Sequence, residues 1–228
     1  MSLLERHPWI GRPLRCPVAR AVLEVHERGG YEVGGAWIDL GAMQVAAEDG
    51  TRLHPADELG GLRAGDGRSS ASVGGPADAD ADAPPTVTIT DASTQDAAYR
   101  LHDAGRTFAV LNFAAGRHPG GGFLKGSRAQ EEDLCRCSGL YATLLRARGY
   151  FDANRAEGEA KHVDDVIHSP GVPFFRRRGG DPFEAPPRPV SVITSAAPVA
   201  RELHVRGTYD EREVRAIFRR RWENVLAV

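Results

Sequence analysis

Val18, Val22 and Val25 recur at helical spacing in PVARAVLEVHER, residues 17–28, and Gly29-Gly30 follows as a stop, so the chain is predicted to begin its folded part with a helix. YEVGGAWIDL, residues 31–40, reads as extended. Between residues 63 and 85 the apolar positions vanish. RAGDGRSSASVGGPADADADAPP holds small, acidic, Pro and Gly residues around one valine, too little to build a core, which predicts a disordered surface insertion. Regularity returns at residue 86. TVTIT (86–90) predicts a short strand. DASTQDAAYRLHDAG predicts a helix capped by Ser93 or Thr94 and ended by Gly105. TFAVLNF, residues 107–113, is a continuous apolar run of the kind buried in a parallel sheet. A loop and a helix follow, then VDDVIHS (163–169) and VSVITSA (190–196) as further strands. The alternation of strand and helix predicts an α/β fold with a mostly parallel or mixed sheet.

The final segment, TYDEREVRAIFRRRWENVLAV, places Val214, Ile217, Phe218, Trp222, Val225 and Leu226 on one helical face, with Asp210 as the cap. That face is expected to lie on a sheet or another helix, with Trp222 in the core. Composition narrows the partners. A net charge of −2 over 228 residues gives no electrostatic case for direct DNA binding. No apolar run reaches the roughly 18 residues that span a bilayer. Cys16, Cys135 and Cys137 are odd in number and form no CxxC, so a reducing cytoplasm is expected rather than a disulfide framework. The histidines show no metal-binding spacing, so no metal or cofactor is expected. Arg176-Arg177-Arg178-Gly179-Gly180 reads as an exposed hairpin or loop, and His118 as a solvated loop residue.

Candidate chemistry concentrates in NFAAGRHPGGGFLKGSRAQEEDL, residues 112–134. A strand that enters a glycine-rich turn and then a helix can present backbone N–H groups to a phosphate. The stretch is neither a P-loop, which needs GxxxxGK[ST], nor a GxGxxG dinucleotide fingerprint. Ser127 and Gln130 have capping-box spacing, and Leu134, Cys137, Tyr141, Leu144 and Leu145 supply an apolar helical face. Glu131 and Glu132 then fall in the first turn, where acids favour a helix by about 0.3–1 kcal/mol. Adjacent helical positions point roughly 100° apart, so one carboxylate can aim at a reacting atom while the other holds neighbouring hydroxyls.

Asn112-Phe113-Ala114, Pro119-Gly120-Gly121-Gly122-Phe123, Gly126 and Ala129-Gln130-Glu131-Glu132 together resemble the signature of the microbial-type poly(ADP-ribose) glycohydrolases. VARAVLEVHERGGYEV, Leu140-Tyr141, Tyr150-Phe151, Asn154, Val166-Ile167-His168-Ser169-Pro170 and Val192-Ile193-Thr194-Ser195 resemble family stretches in the same order. The resemblance implies a macrodomain-like mixed sheet flanked by helices in three α/β/α layers, and cleavage of the ribose–ribose O-glycosidic bond of poly(ADP-ribose), or action on ADP-ribosylated proteins. It implies Glu132 as general acid and base, Glu131 as a holder of ribose hydroxyls, and Asn112 as a ribose ligand. Phe113, Ala114, Pro119, Gly120, Gly121, Gly122, Phe123 and Gln130 complete the implied substrate-binding stretch. The expected organisation is an N-terminal helix and strand extension (1–62), the insertion (63–85) and a catalytic domain (86–228). By the resemblance, that domain would continue with a further strand and glycine-rich loop after the last helix, so it is expected to be incomplete. A reader that binds ADP-ribose without cleaving it, or an inactive fragment, would share the same signature.

Overall fold

A computed structural model describes residues 16–64 and 86–228. The anticipated first helix is α1 (Pro17–Arg28), closed by Gly29 at φ 71°. The extended stretch is a hairpin of β1 (Gly30–Val33) and β2 (Ala36–Asp39), turned by Gly34 and Gly35. Then come α2 (Gly41–Gly50), β3 (Arg52–His54) and α3 (Ala56–Ala64). The helix α3 therefore takes in residues 63–64 of the anticipated insertion; residues 65–85 lie outside the described residues.

Residues 86–90 are not a strand. Val87 is 84% and Ile89 92% exposed, and no strand among the described residues pairs with them. β-branched alternation alone does not make a strand where no ladder partner is present. The next helix is α4 (Thr94–Asp103), with the Ser93 side chain accepting from the Asp96 N–H. It leads into β4 (Ala109–Ala114) and a short 3-10 turn over Phe123–Lys125. The predicted acid-bearing helix is split into α5 (Gln130–Cys137) and α6 (Leu140–Leu144). The break comes at Ser138, whose hydroxyl donates back to the Leu134 carbonyl and accepts from the Leu140 N–H. The chain continues through α7 (Arg148–Glu157), β5 (Val166–Phe174), β6 (Arg188–Ala196), α8 (Ala200–Arg206) and α9 (Glu211–Ala227).

The main sheet has the order β3-β5-β6-β4 and is mixed: β4 runs parallel to β6, whereas β5 is antiparallel to both β6 and β3. Side chains alternate across it. Val110, Ile167 and Val192 face a core shared with α1, α4, α5, α6 and α7. Leu111, Val166 and Ile193 face a smaller core under Leu59 of α3 and Val225 of α9. This gives the expected three layers. The apolar strand β4 is parallel as anticipated but stands at the sheet edge, where Phe113 is 64% exposed.

Two further expectations change. On α9 the buried residues are Val214, Ile217, Arg221, Asn224 and Val225, while Trp222 is 51% and Leu226 81% exposed. Trp222 and Phe218 line an apolar groove with Leu111 and Phe113 rather than the core. The arginine run is not simply exposed: Arg176 is buried over the Phe183 ring, Arg177 pairs with Asp96 and Glu184, and Gly179 donates to Asp133. Among the described residues no helix is long and apolar enough to cross a membrane.

The stripe on α9 follows from Arg221. Its guanidinium donates to the carbonyls of Ala196, Lys161 and His162 and to the Asp164 carboxylate, while Asn224 donates to the Asp164 carbonyl. These bonds hold the 158–164 loop, in which Ala160 and His162 both take φ of 65°, a left-handed conformation that costs non-glycine residues about 1 kcal/mol or more. Replacing Arg221 by leucine leaves three carbonyls without their donor and takes from Asp164 one of its two arginine partners, the other being Arg220. A destabilisation of about 3–5 kcal/mol is expected, measured by denaturant unfolding.

Candidate active site

The strand β4 carries Asn112 into the interior, where it is fully buried. Its amide nitrogen donates to Glu131 Oε1 at 3.3 Å and to Thr194 Oγ1 at 3.2 Å. Its Oδ1 has no hydrogen-bond partner among the described residues. Thr194 lies opposite Asn112 in the β4–β6 register, so the parallel pairing itself sets this contact. The chain then turns back through residues 115–122. Gly116 fits there because His162 packs beneath it: a Cβ would stand 2.7 Å from the imidazole Nδ1. The loop secured by Arg221 thus supports the beginning of the turn.

The helix α5 begins at Gln130, not Ser127. Its N-cap is Ala129, whose N–H is taken by the side chain of Glu132 three residues on. Both halves of the anticipated capping box, Ser127 and Gln130, are therefore displaced by two residues: the cap is Ala129 and the residue that reaches back is Glu132. Ser127 instead packs against Gly122, where a Cβ would stand 2.1 Å from its Oγ. Gln130 spans the edge of β4, donating to the Leu111 carbonyl at 2.7 Å and accepting from the Phe113 N–H at 2.9 Å. One amide side chain thereby behaves like a short neighbouring strand and straddles Asn112.

Both acids are buried, Glu131 at 2% exposure and Glu132 at 7%. Glu131 Oε2 accepts from the Ala115 N–H at 2.8 Å, on the β4 side. Glu132 Oε1 accepts from the Gly122 N–H at 2.8 Å and its Oε2 from the Ala129 N–H at 3.0 Å, on the other side. The two carboxylates meet above Gly121, where a Cβ would lie 2.5 Å from Glu132 Oε1 and 3.0 Å from Glu131 Oε2. Gly121 also sits at φ 56°, so both its conformation and its lack of a side chain are required. Burial pushes the Glu131 carboxyl up to about 8, and the neighbouring Glu132 adds to this, against the bonds from Ala115 and Asn112.

The N–H groups of the glycine triplet are engaged inside the protein. Gly121 donates to the His118 carbonyl and Gly122 to Glu132, while the Gly120 backbone favours the ionised form of Glu131. Phe123 is fully buried and packs on Tyr141 with ring centroids 5.0 Å apart, so its ring supports the turn from below. Pro119 and Ala114 are half-buried in the turn and at the strand end. The backbone of Phe113 is bound to Gln130 while its ring is exposed. Thr194, Tyr141 and His162 escape sequence reading, since nothing near them in the chain marks them as neighbours of the turn. Among the described residues no group of three His, Cys, Asp or Glu side chains is placed to hold a metal ion. The arrangement offers two adjacent acids, one of them holding a proton near neutrality, beside an amide that bonds to one of them: the equipment of acid–base chemistry on a polyhydroxylated substrate.

Residues 19–177 match the family model described as the microbial-type PARG catalytic domain. The structure is similar to poly(ADP-ribose) glycohydrolase from Thermomonospora curvata, with 35% identity over 92% of this chain and 73% of that one, and a TM-score of 0.81. The same enzyme bound to the inhibitor ADP-HPD gives 33% identity, 92% and 72% coverage, and a TM-score of 0.80. Poly(ADP-ribose) glycohydrolase from Deinococcus radiodurans in complex with ADP-ribose gives 32% identity, 86% and 71% coverage, and a TM-score of 0.66. Among curated proteins nothing matches. With the glycine turn and the acid pair inside the matched segment, this chain belongs to the microbial-type PARG family.

Proposed function

We propose that this chain hydrolyses the ribose–ribose O-glycosidic bonds of poly(ADP-ribose), releasing ADP-ribose. The meeting of two buried carboxylates over Gly121, next to Asn112, carries this reading. Asn112 and Glu131 hold the hydroxyls of the ribose under attack, and Glu132 serves the glycosidic oxygen. Burial raises the Glu131 carboxyl, so the free protein carries a proton at the acid pair near neutrality. Ribose hydroxyls that donate to Glu131 favour its ionised form, so the proton passes to Glu132. Glu132 then protonates the leaving oxygen as the C–O bond breaks, leaving an oxocarbenium-like ribose. Water adds to that carbon and gives its proton to the Glu132 carboxylate, which returns Glu132 to the protonated form it had before the bond broke. Gln130 is a positioning residue that fastens the acid helix to the strand carrying Asn112.

The catalytic unit includes the residues before the insertion, because β3 closes one side of the sheet and α1 packs in the main core. The substrate is the polymer or an ADP-ribosylated protein, with no cofactor. The free thiols of Cys16, Cys135 and Cys137 support a cytoplasmic setting.

Glu132→Gln is expected to lower the rate of ADP-ribose release by about 10³-fold while the melting temperature stays within a few degrees, measured by product chromatography and calorimetry. Full activity in that variant would overturn the assignment. Gly121→Ala is expected to cost about 10²-fold in rate, because the new methyl must displace one or both carboxylates. The Glu131 carboxyl is raised in the folded chain, so its contribution to stability is fully present below its unfolded value and is lost as pH rises through about 8. Between pH 5 and 8 the wild type is expected to lose a few kcal/mol relative to Glu131→Gln, read by denaturant unfolding at each pH.

A further inference from the structure

The linker between Gly122 and Ala129 leaves Glu132 on one side and solvent on the other. Glu132 is bonded at both ends of this linker, to the Gly122 and Ala129 N–H groups. Glu131 is bonded on the opposite side, to Ala115 and Asn112. If Glu131 and Asn112 hold the ribose that is attacked, the oxygen that leaves lies toward Glu132 and the linker. Any further polymer unit attached to that oxygen must then pass over the linker surface.

That surface is cationic. Lys125 and Arg128 are exposed, and neither makes an ion pair among the described residues. Within electrostatic reach of His118, as Lys125 is, Arg155 donates to the Arg117 carbonyl and pairs with Asp152, and Arg117 pairs with Glu202 at 3.4 Å. His118 senses the cluster: burial depresses its pKa first, and the charges of Arg155, Lys125 and Arg117 depress it further. In a chain of net charge −2, Lys125 and Arg128 stand on one exposed linker without an acidic partner among the described residues, and His118 feels Lys125 together with Arg117 and Arg155. The linker itself is held in place by Arg136, which donates from Nη1 to the Ser127 carbonyl at 2.6 Å.

Building on the glycohydrolase reading, we propose that Lys125 and Arg128, backed by Arg117 and Arg155, form a second anion site that holds the diphosphate of the polymer unit on the leaving-group side of the scissile bond. The ligand class is a diphosphate in a polyanion, distinct from the single ADP-ribose unit held by the catalytic cleft. The site raises affinity for polymer without changing affinity for monomeric ADP-ribose.

The test is the double variant Lys125→Glu/Arg128→Glu beside Lys125→Gln/Arg128→Gln. KM for long polymer is measured at several salt concentrations, and Kd for ADP-ribose by calorimetry. The charge reversal is expected to raise the polymer KM roughly tenfold at low salt and to flatten its salt dependence, with the glutamine pair intermediate and the ADP-ribose Kd within about twofold of wild type. An unchanged polymer KM, or an equal weakening of polymer and ADP-ribose, overturns the proposal. Polymer binding to the wild type and the double variant is measured as well. Wild type that fails to cleave polymer removes the glycohydrolase reading. Equal polymer binding by the two proteins removes the second site, whatever the outcome for cleavage.

Discussion

A carboxylate withdrawn from water must be given hydrogen-bond donors or surrender its charge, and this constraint organises the structure around Glu131 and Glu132. Beside the Asn112 amide, the donors come from the backbone. Ala115 supplies one from the end of β4, Gly122 another from the glycine turn, and Ala129 a third from the helix cap. None of these can be moved without moving the acid it serves. The turn is therefore not a loop that happens to precede an acidic helix; it is the lining that makes two buried acids tolerable. What the backbone does not compensate is expressed as protonation of Glu131.

The rest of the fold holds this lining still. Gln130 binds the start of α5 to the edge of β4, and Thr194 fixes Asn112 through the β4–β6 register. From behind, α9 contributes Arg221, which holds the strained 158–164 loop, and that loop places His162 under Gly116. Tyr150, fully buried, accepts from the Ala196 N–H at the end of β6 and so ties α7 to the same corner. A helix far from the acids in sequence thus reaches them through a loop and one imidazole.

Much of this was legible in the chain. Periodicity located α1, α4, α9, β4, β5 and β6, and the quoted signature located the site, because glycine triplets and acid pairs are rare enough to stand out. What failed did so for identifiable reasons. TVTIT has strand composition, but a strand exists only if a partner accepts its ladder, and residues 86–90 have none among the described residues. Trp222 and Phe218 share a helical face with Val225, yet burial on α9 is decided by where Arg221 finds its carbonyls, a contact between residues about 60 positions apart. Ser127 carries the composition of a cap, but the Glu132 side chain already occupies the Ala129 N–H, and the helix starts accordingly. The glycines were read as a surface for a ligand. Their first obligation proves to be to the protein's own carboxylates and to Ser127 and Tyr141. The signature recorded which residues belong together, whereas the reason they belong together is steric and needs three dimensions.

The contact above Gly121 also bears on how such a chain can change over generations. Because the absent side chain at 121 and the carboxyl ends of Glu131 and Glu132 compete for one small volume, the three positions are not free to vary singly. A larger residue at 121 meets an acid and an unfavourable positive φ together, so it asks for a shortened acid and a rebuilt turn, and on the proposed roles the shortened acid gives up the chemistry. Routes to a non-hydrolytic descendant are thereby ordered: the acid is lost first, and the loop is released to diversify afterwards.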